Sequence, residues 1–433
     1  MDRFFLKKLL AGALCLLPLC PVAAAAEVKA LPAPSKRVHL GILLPLTGPL
    51  APFGKRALRG ALLGSKLFGD EGPRELVFHI ADTEGDPSLA AKEVKRLAGE
   101  GVTGIIGPLK GDEARSAAKA AREEDLPLLA LSPAADLTGG MVFRLFLREE
   151  EEVDRLVKFA VEEKHLKRFA ILAPDTESGR RYRSLFWDSA VRHGGEITAS
   201  ETFPADESSL EIPLKKAAGI YGLTKAELRE RQEREKQALA EAMQGPQLTA
   251  EEPITEPVPP PVNAKKKSAE EGPKPLVDFD ALFLPVSPSV KVAQMAPQLP
   301  YYDITGVTLL GIRSWNYPEL VKVGKEYIEG ALFPAEWHPS THEGAEFAES
   351  FEKSYGSTPG VLETYAYDAV RLMAEKAAGN DREGLRRGLS SLSGADGVTG
   401  PLSAAPGGEI ISEPVILAVS RSMIVPAETA DPR

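Results

Sequence analysis

The chain has 433 residues, 43% of them apolar and 26% charged, an ordinary globular composition with room for two domains or one bilobed unit. A formal net charge of −10 argues against binding to a nucleic-acid backbone. Both cysteines, Cys15 and Cys20, fall at the extreme N-terminal end, so the rest of the chain uses no disulfide.

Arg3, Lys7 and Lys8 form a basic patch, residues 9–19 are apolar, and residues 22–26 are small. That pattern predicts an export signal over residues 1–26, cleaved after Ala26. Leu19 stands before Cys20 where a lipid-anchored chain needs a small residue. No other stretch is long and apolar enough to span a bilayer, so the product is expected to be soluble and exported.

Residues 38–44 are almost continuously apolar, as in a strand buried on both faces of a parallel sheet. Pro45 stops that strand, and Thr47-Gly48-Pro49 makes a turn where backbone can approach a ligand. A helix follows, with Leu58, Ala61 and Leu62 on one face. Strand and helix then alternate: strands at 75–80, 104–106 and 126–131, helices around 90–98 and 112–124. A second set begins near Phe143, with a helix through Val153 and Ala160, a strand at 168–172, a helix through Tyr182 and Phe186, and a strand at 196–203. Such alternation reads as parallel, doubly wound sheets.

The pattern breaks near Gly222. Thr224 and Glu227 fit a capping box opening a charged helix over 225–243. Residues 244–275 are rich in proline and contain Lys265-Lys266-Lys267, a composition that cannot build a core. Residues 222–275 are read as an insertion into the second lobe, either a solvated spacer or an arm that docks a partner. Alternation resumes with strands at 279–284, 307–311 and 327–333 and helices at 290–299, 345–355, 362–378 and 382–389. Residues 398–402 and 414–419 are expected to give a closing turn and strand.

Catalytic signatures are missing. The span from Gly48 to Lys55 has the wrong spacing for a phosphate loop, and Arg56 replaces the Ser or Thr that would hold magnesium. No GxSxG elbow occurs. Pro339 lies between His338 and His342, which removes the helix a zinc pair would need, so both read as solvated loop histidines. The carboxylates are taken to sit on charged helix faces. No metal, no cofactor and no enzyme activity is expected.

Six stretches in order resemble the type I periplasmic binding proteins of the leucine and branched-chain-amino-acid binding family. They are Gly41 to Pro49 with Gly54 and Gly60; Asp82 with Asp86-Pro87 and Ala90-Ala91; Ile105 to Pro108; Leu131 to Ala135; Val142-Phe143-Arg144; and Tyr365 to Ala369. The resemblance implies an α/β fold of two Rossmann-like lobes joined by three crossovers. Lobe 1 would be residues 38–145 and 341–393; lobe 2 would be residues 146–340 and 394–425. By the same similarity a ligand would lie between Thr47, Gly48 and Phe53; Leu109, Lys110 and Gly111; Ser132, Pro133 and Ala134; and, from lobe 2, Glu177, Arg313, Ser314, Trp315 and Glu336. Lys110-Gly111 and Asp136 stand where amino-acid binders of the family carry the Ser and Thr that grip an α-carboxylate. Lys110 and Arg313 would suit an anionic group instead. The implied function is capture of a small polar ligand, amino-acid-like or anionic, for an ABC-type membrane permease. Gly179 to Tyr182, Tyr301-Tyr302-Asp303, Ser314-Trp315-Asn316 and the insertion also resemble the penicillin-binding-protein activators of the same fold, which gives the alternative of a peptidoglycan synthase as partner.

Overall fold

The computed structural model describes residues 37–66, 76–207, 209–224, 277–302, 304–377 and 381–430, with isolated positions between 226 and 237. The expected signal at 1–26 and most of the expected insertion at 222–275 lie outside the described residues. The capping box is formed: the Thr224 amide donates to Glu227 Oε2 at 2.8 Å, and the Glu227 amide donates to Thr224 Oγ1 at 3.3 Å.

Two seven-stranded sheets carry the fold. The first contains β1 (Val38–Leu44), β2 (Leu76–Asp82), β3 (Gly104–Ile106), β4 (Leu128–Ala130), β5 (Val142–Leu145), β11 (Leu402–Ala405) and β12 (Glu409–Ser412), in the order β11-β12-β5-β4-β3-β1-β2. All its pairings are parallel except β11 with β12. The second contains β6 (Arg168–Pro174), β7 (Glu196–Phe203), β8 (Ala281–Phe283), β9 (Thr308–Leu310), β10 (Leu332–Ala335), β13 (Val415–Ser420) and β14 (Met423–Pro426), in the order β14-β13-β10-β9-β8-β6-β7. It is parallel from β7 to β10 and antiparallel from β10 to β14.

Helices cover both faces of the parallel cores, which is why the central strands are apolar throughout rather than alternating. Helix α1 (Ala51–Lys66) packs against the helix Val361–Lys376 at very close range. A Cβ on Gly60 would lie 2.0 Å from the Glu363 carbonyl oxygen, so only glycine permits that approach. Arg56 then closes a two-pronged ion pair on Glu363, at 2.7 and 2.9 Å. Helix α2 (Pro87–Gly99) opens with proline in its first turn and is capped by Asp86, which accepts from the Leu89 amide at 2.7 Å.

The chain passes between the sheets three times: from β5 into helix α4 (Glu149–Glu162), from β10 into the helix His342–Tyr355, and from β12 into β13. One boundary is corrected. The expectation placed all of 394–425 in lobe 2, but β11 and β12 join the first sheet, and only from β13 does the chain belong to the second. The cause is local: β12 pairs in parallel with β5, with Glu409 opposite Arg144. Two other elements shift. Residues 325–328 form a tight 3-10 turn before β10, and the closing strand is four strands, two in each sheet.

Candidate functional site

Parallel topology brings the loops after β1, β3 and β4 to one edge of the first sheet, the edge where open α/β sheets hold ligands. Asp82 organises the first loop. Its Oδ1 accepts from the amides of Leu46 and Thr47 at 2.8 and 3.2 Å, and its Oδ2 accepts from the Thr47 hydroxyl at 2.7 Å. Burial would raise the Asp82 carboxyl, but these donors hold it below its usual value. Gly48 takes φ +73, which a turn of this kind requires. The loop after β3 meets the loop after β4, since a Cβ on Gly111 would come within 3.3 Å of the Ala134 side chain. Ser132 is buried, and its hydroxyl accepts from the Ala134 amide at 3.4 Å.

A cleft of about 680 Å³ opens where the two sheets' loops face each other. Pro133, Ala135, Arg144 and Glu409 line it from the first sheet, Phe146 to Arg148 from the first crossover, and Glu149, Glu150, Thr176 to Ser178, Arg181 and Arg313 from the second sheet's side. Thr176 caps helix α5 (Glu177–Arg192) by accepting from the Gly179 amide at 3.0 Å, which aims the start of that helix at the cleft. Most charges here are paired. Arg144 Nε donates to Glu409 Oε2 at 2.8 Å and an Nη donates to the Pro133 carbonyl at 2.8 Å. Arg181 bridges Glu149 and Glu150, and Arg148 pairs with Glu151. Glu177 has no ion-pair partner among the described residues.

Behind the cleft lies a buried cluster that the sequence expectation missed. The Arg313 amide donates to Glu152 Oε1 at 2.7 Å, and Arg313 Nε lies 3.4 Å from Glu152 and 3.8 Å from Glu336. The Tyr182 hydroxyl donates to Glu152 Oε2 at 3.0 Å. Two carboxylates thus share one guanidinium. Burial pushes the Glu152 carboxyl up to about 7, against the pull of Arg313, and pushes Glu336 up as well. Burial would lower Arg313, but Glu152 and Glu336 hold it above its usual value.

This cluster sets a pH dependence. A folded Glu152 near 7, against an ordinary value of 4.5, keeps its proton where the unfolded chain has lost it. Its contribution to stability is fully present below the unfolded value and is lost as pH rises through about 7. His338, lowered by burial, works in the opposite direction as pH falls. The comparison that isolates Glu152 is therefore between variants. Between pH 8 and pH 5, the gain in urea-unfolding free energy is expected to be smaller in Glu152→Gln by roughly 2–3 kcal/mol, the greater part of what the shift is worth. Equal pH profiles for the two proteins would refute the assignment.

Of the expected ligand residues, Pro133, Glu177 and Arg313 line the cleft. Thr47, Gly48, Phe53, Leu109, Lys110, Gly111, Ser132 and Ala134 sit on or beside the first-sheet loops but do not line it. Lys110 is exposed and pairs with Asp112 at 2.7 Å. Trp315 is corrected: it is 0% exposed and belongs to the second-lobe core, with its Nε1 donating to the Val286 carbonyl at 3.1 Å. Glu336 is likewise buried behind Arg313 rather than presented to the cleft. The Ser314 hydroxyl is buried and has no hydrogen-bond partner among the described residues. His338 is also buried, not solvated, whereas His342 is exposed as expected. The expectation of carboxylates confined to charged helix faces fails for Glu113, Glu152, Glu363 and Asp368, all buried. Arg148, Glu149, Glu150 and Glu409 are charged cleft residues that sequence reasoning did not single out, and Arg144 and Arg181 stood in stretches of the resemblance without a ligand role.

Comparison with known proteins adds the following. Residues 37–219 match the profile of a periplasmic binding protein family. The Leu/Ile/Val-binding protein homolog 3 of Brucella melitensis is 26% identical over 212 residues, 46% of this chain and 57% of that protein. The chain thus spans about half the length of the curated relatives it matches. Among solved structures, a Rhodospirillum rubrum protein assigned to branched-chain amino acid ABC transport superposes with a TM-score of 0.72 at 18% identity, covering 90% of this chain and 99% of that one. The branched-chain amino acid transporter substrate-binding protein of Streptococcus pneumoniae, in complex with isoleucine, gives a TM-score of 0.55 at 18% identity, with 90% and 98% covered. At such identities the structures speak for the fold. Residues 37–219 match the model of the periplasmic binding protein family, and the described chain as a whole has the two-lobed type I fold.

Proposed function

We propose that this chain is a solute-binding protein that captures a small polar ligand between its lobes and presents it to an ABC-type membrane permease. The observation that carries this reading is the cleft itself, about 680 Å³ in volume and walled by charged side chains from both lobes. Arg148 and Arg181, which are accessible and hold only neighbouring carboxylates, can exchange those partners for a ligand's anionic group, and Glu177, which has no ion-pair partner among the described residues, suits a cationic one. That combination favours a small solute bearing both charges, amino-acid-like in chemistry. Capture would select the closed arrangement of the lobes, because only there do both walls touch the ligand. The matched family is one of binding proteins, not enzymes. We place the protein in the periplasm, with residues 1–26 as the export signal; no helix among the described residues is long and apolar enough to cross a membrane. The peptidoglycan-synthase partner finds no support in these comparisons.

A thermal-unfolding screen tests the reading with leucine, isoleucine, glutamate, lysine and benzoate as probes. A true ligand at one hundred times its Kd is expected to stabilise by about 2.7 kcal/mol. Glu177→Gln is expected to reduce the response to cationic or zwitterionic probes while leaving the ligand-free Tm in place, because Glu177 is exposed. No response to any probe at millimolar concentration would count against use of the cleft.

A further inference from the structure

The first crossover shows an unusual division of labour at one residue. Leu147 is buried, 2% exposed. Its amide donates to the Tyr365 hydroxyl at 2.8 Å, and Tyr365 belongs to the first-lobe core on the helix Val361–Lys376. Its carbonyl accepts from an Nη of Arg313, which follows β9 of the second sheet. The neighbouring Phe146 ring repeats the arrangement. It stacks on Tyr365 at 5.5 Å between centroids and carries the Arg313 guanidinium at 5.2 Å from its centroid.

The amide and carbonyl of one residue are separated by its own φ and ψ, the soft torsions of the backbone. One lobe therefore fixes the chain immediately before those torsions, and the other fixes it immediately after. We infer that Leu147 is the pivot of the first crossover, and that Tyr365 and Arg313 are positioning residues that confine interlobe rotation to it. The inference rests on the two-lobed capture proposed above. It accounts for a feature that capture alone does not: Arg313 lines the cleft, yet it is committed to Glu152, Glu336 and the Leu147 carbonyl. Arg313 thereby serves the hinge, and the ligand meets the neighbouring side chains. Hinge positions of this kind absorb the torsional change of domain closure.

The test needs no ligand, so its failure is separate from a silent binding screen. Spin labels at Lys92→Cys and Asp188→Cys, one exposed site in each lobe, report the interlobe distance in the full chain with Cys15→Ser and Cys20→Ser. The unsubstituted protein is expected to give narrow, resolved distance peaks. Tyr365→Phe, which deletes only the hydroxyl, and Leu147→Gly, which loosens the pivot torsions, are each expected to merge them into a broad distribution. Arg313→Lys is expected to restore most of the narrowness that Arg313→Met loses. Ser189→Ala removes a hydrogen bond to Asp154 remote from the crossover and serves as the control. Peaks as narrow in Tyr365→Phe and Leu147→Gly as in the parent, or equal broadening in Ser189→Ala, overturn the inference.

Discussion

Glu409→Ala is expected to destabilise the protein by about 3–5 kcal/mol, the range for breaking a buried ion pair from one side. The Arg144 guanidinium is 2% exposed, and its closest anionic partner is Glu409 at 2.8 Å. With the carboxylate gone, a full positive charge stays on β5 with only the Pro133 carbonyl and the polar edge of the cleft to solvate it. The two residues face each other across the β5–β12 pairing, so the loss also loosens the strand that closes the first sheet. Urea unfolding at pH 7 measures this directly. The double variant Arg144→Met/Glu409→Met is expected to recover most of the loss, because removing both charges removes the desolvation problem. A single-variant cost below about 1 kcal/mol would mean that cleft water solvates Arg144 well enough to do without Glu409.

Trp315→Ala is expected to cost about 3–5 kcal/mol in the ligand-free protein, as for other large buried aromatics truncated to alanine. The indole is fully enclosed, tilts against Phe333 at 6.1 Å and donates to the Val286 carbonyl. It packs so closely on Gly311 that a Cβ there would lie 2.1 Å from the ring. Truncation leaves a cavity and an orphaned carbonyl together. A ligand-contacting tryptophan would behave in the opposite way, with unfolding nearly unchanged and binding lost. The midpoint of chemical denaturation without ligand therefore decides between the two roles.

Much of the architecture was readable from residue order. The apolar runs at 38–44 and 168–172 and the helical faces after them required two sheets with parallel cores, and both are present, each with an antiparallel margin. Pro45 and Gly48 marked the first turn correctly because they act through local torsions alone. The site was less legible. Arg144 finds its partner 265 positions away, a distance over which spacing carries no signal. Glu152 closes a run of four glutamates that looks like a solvated helix face. Only the packing of Tyr182 and Arg313 against it shows that the last member turns inward. Trp315 misled for a related reason: an aromatic after a strand suits a ligand wall and a core equally, and the small Gly311 decides for the core. The lobe boundary near 394–412 escaped because β11 and β12 are four-residue strands, too short to show an alternation.

The threefold passage of the chain between sheets has a bearing on biogenesis. β12 completes the first sheet beside β5, and β13 extends the second beside β10, although both arrive after residue 408. Neither half can therefore be finished from its early portion alone, and vectorial synthesis leaves two open, unzipped margins until the final segment emerges. Such late, long-range pairing slows folding. The stretch from Glu409 to Pro426 therefore supplies pairings to both sheets within eighteen residues, and it couples the completion of one half to that of the other.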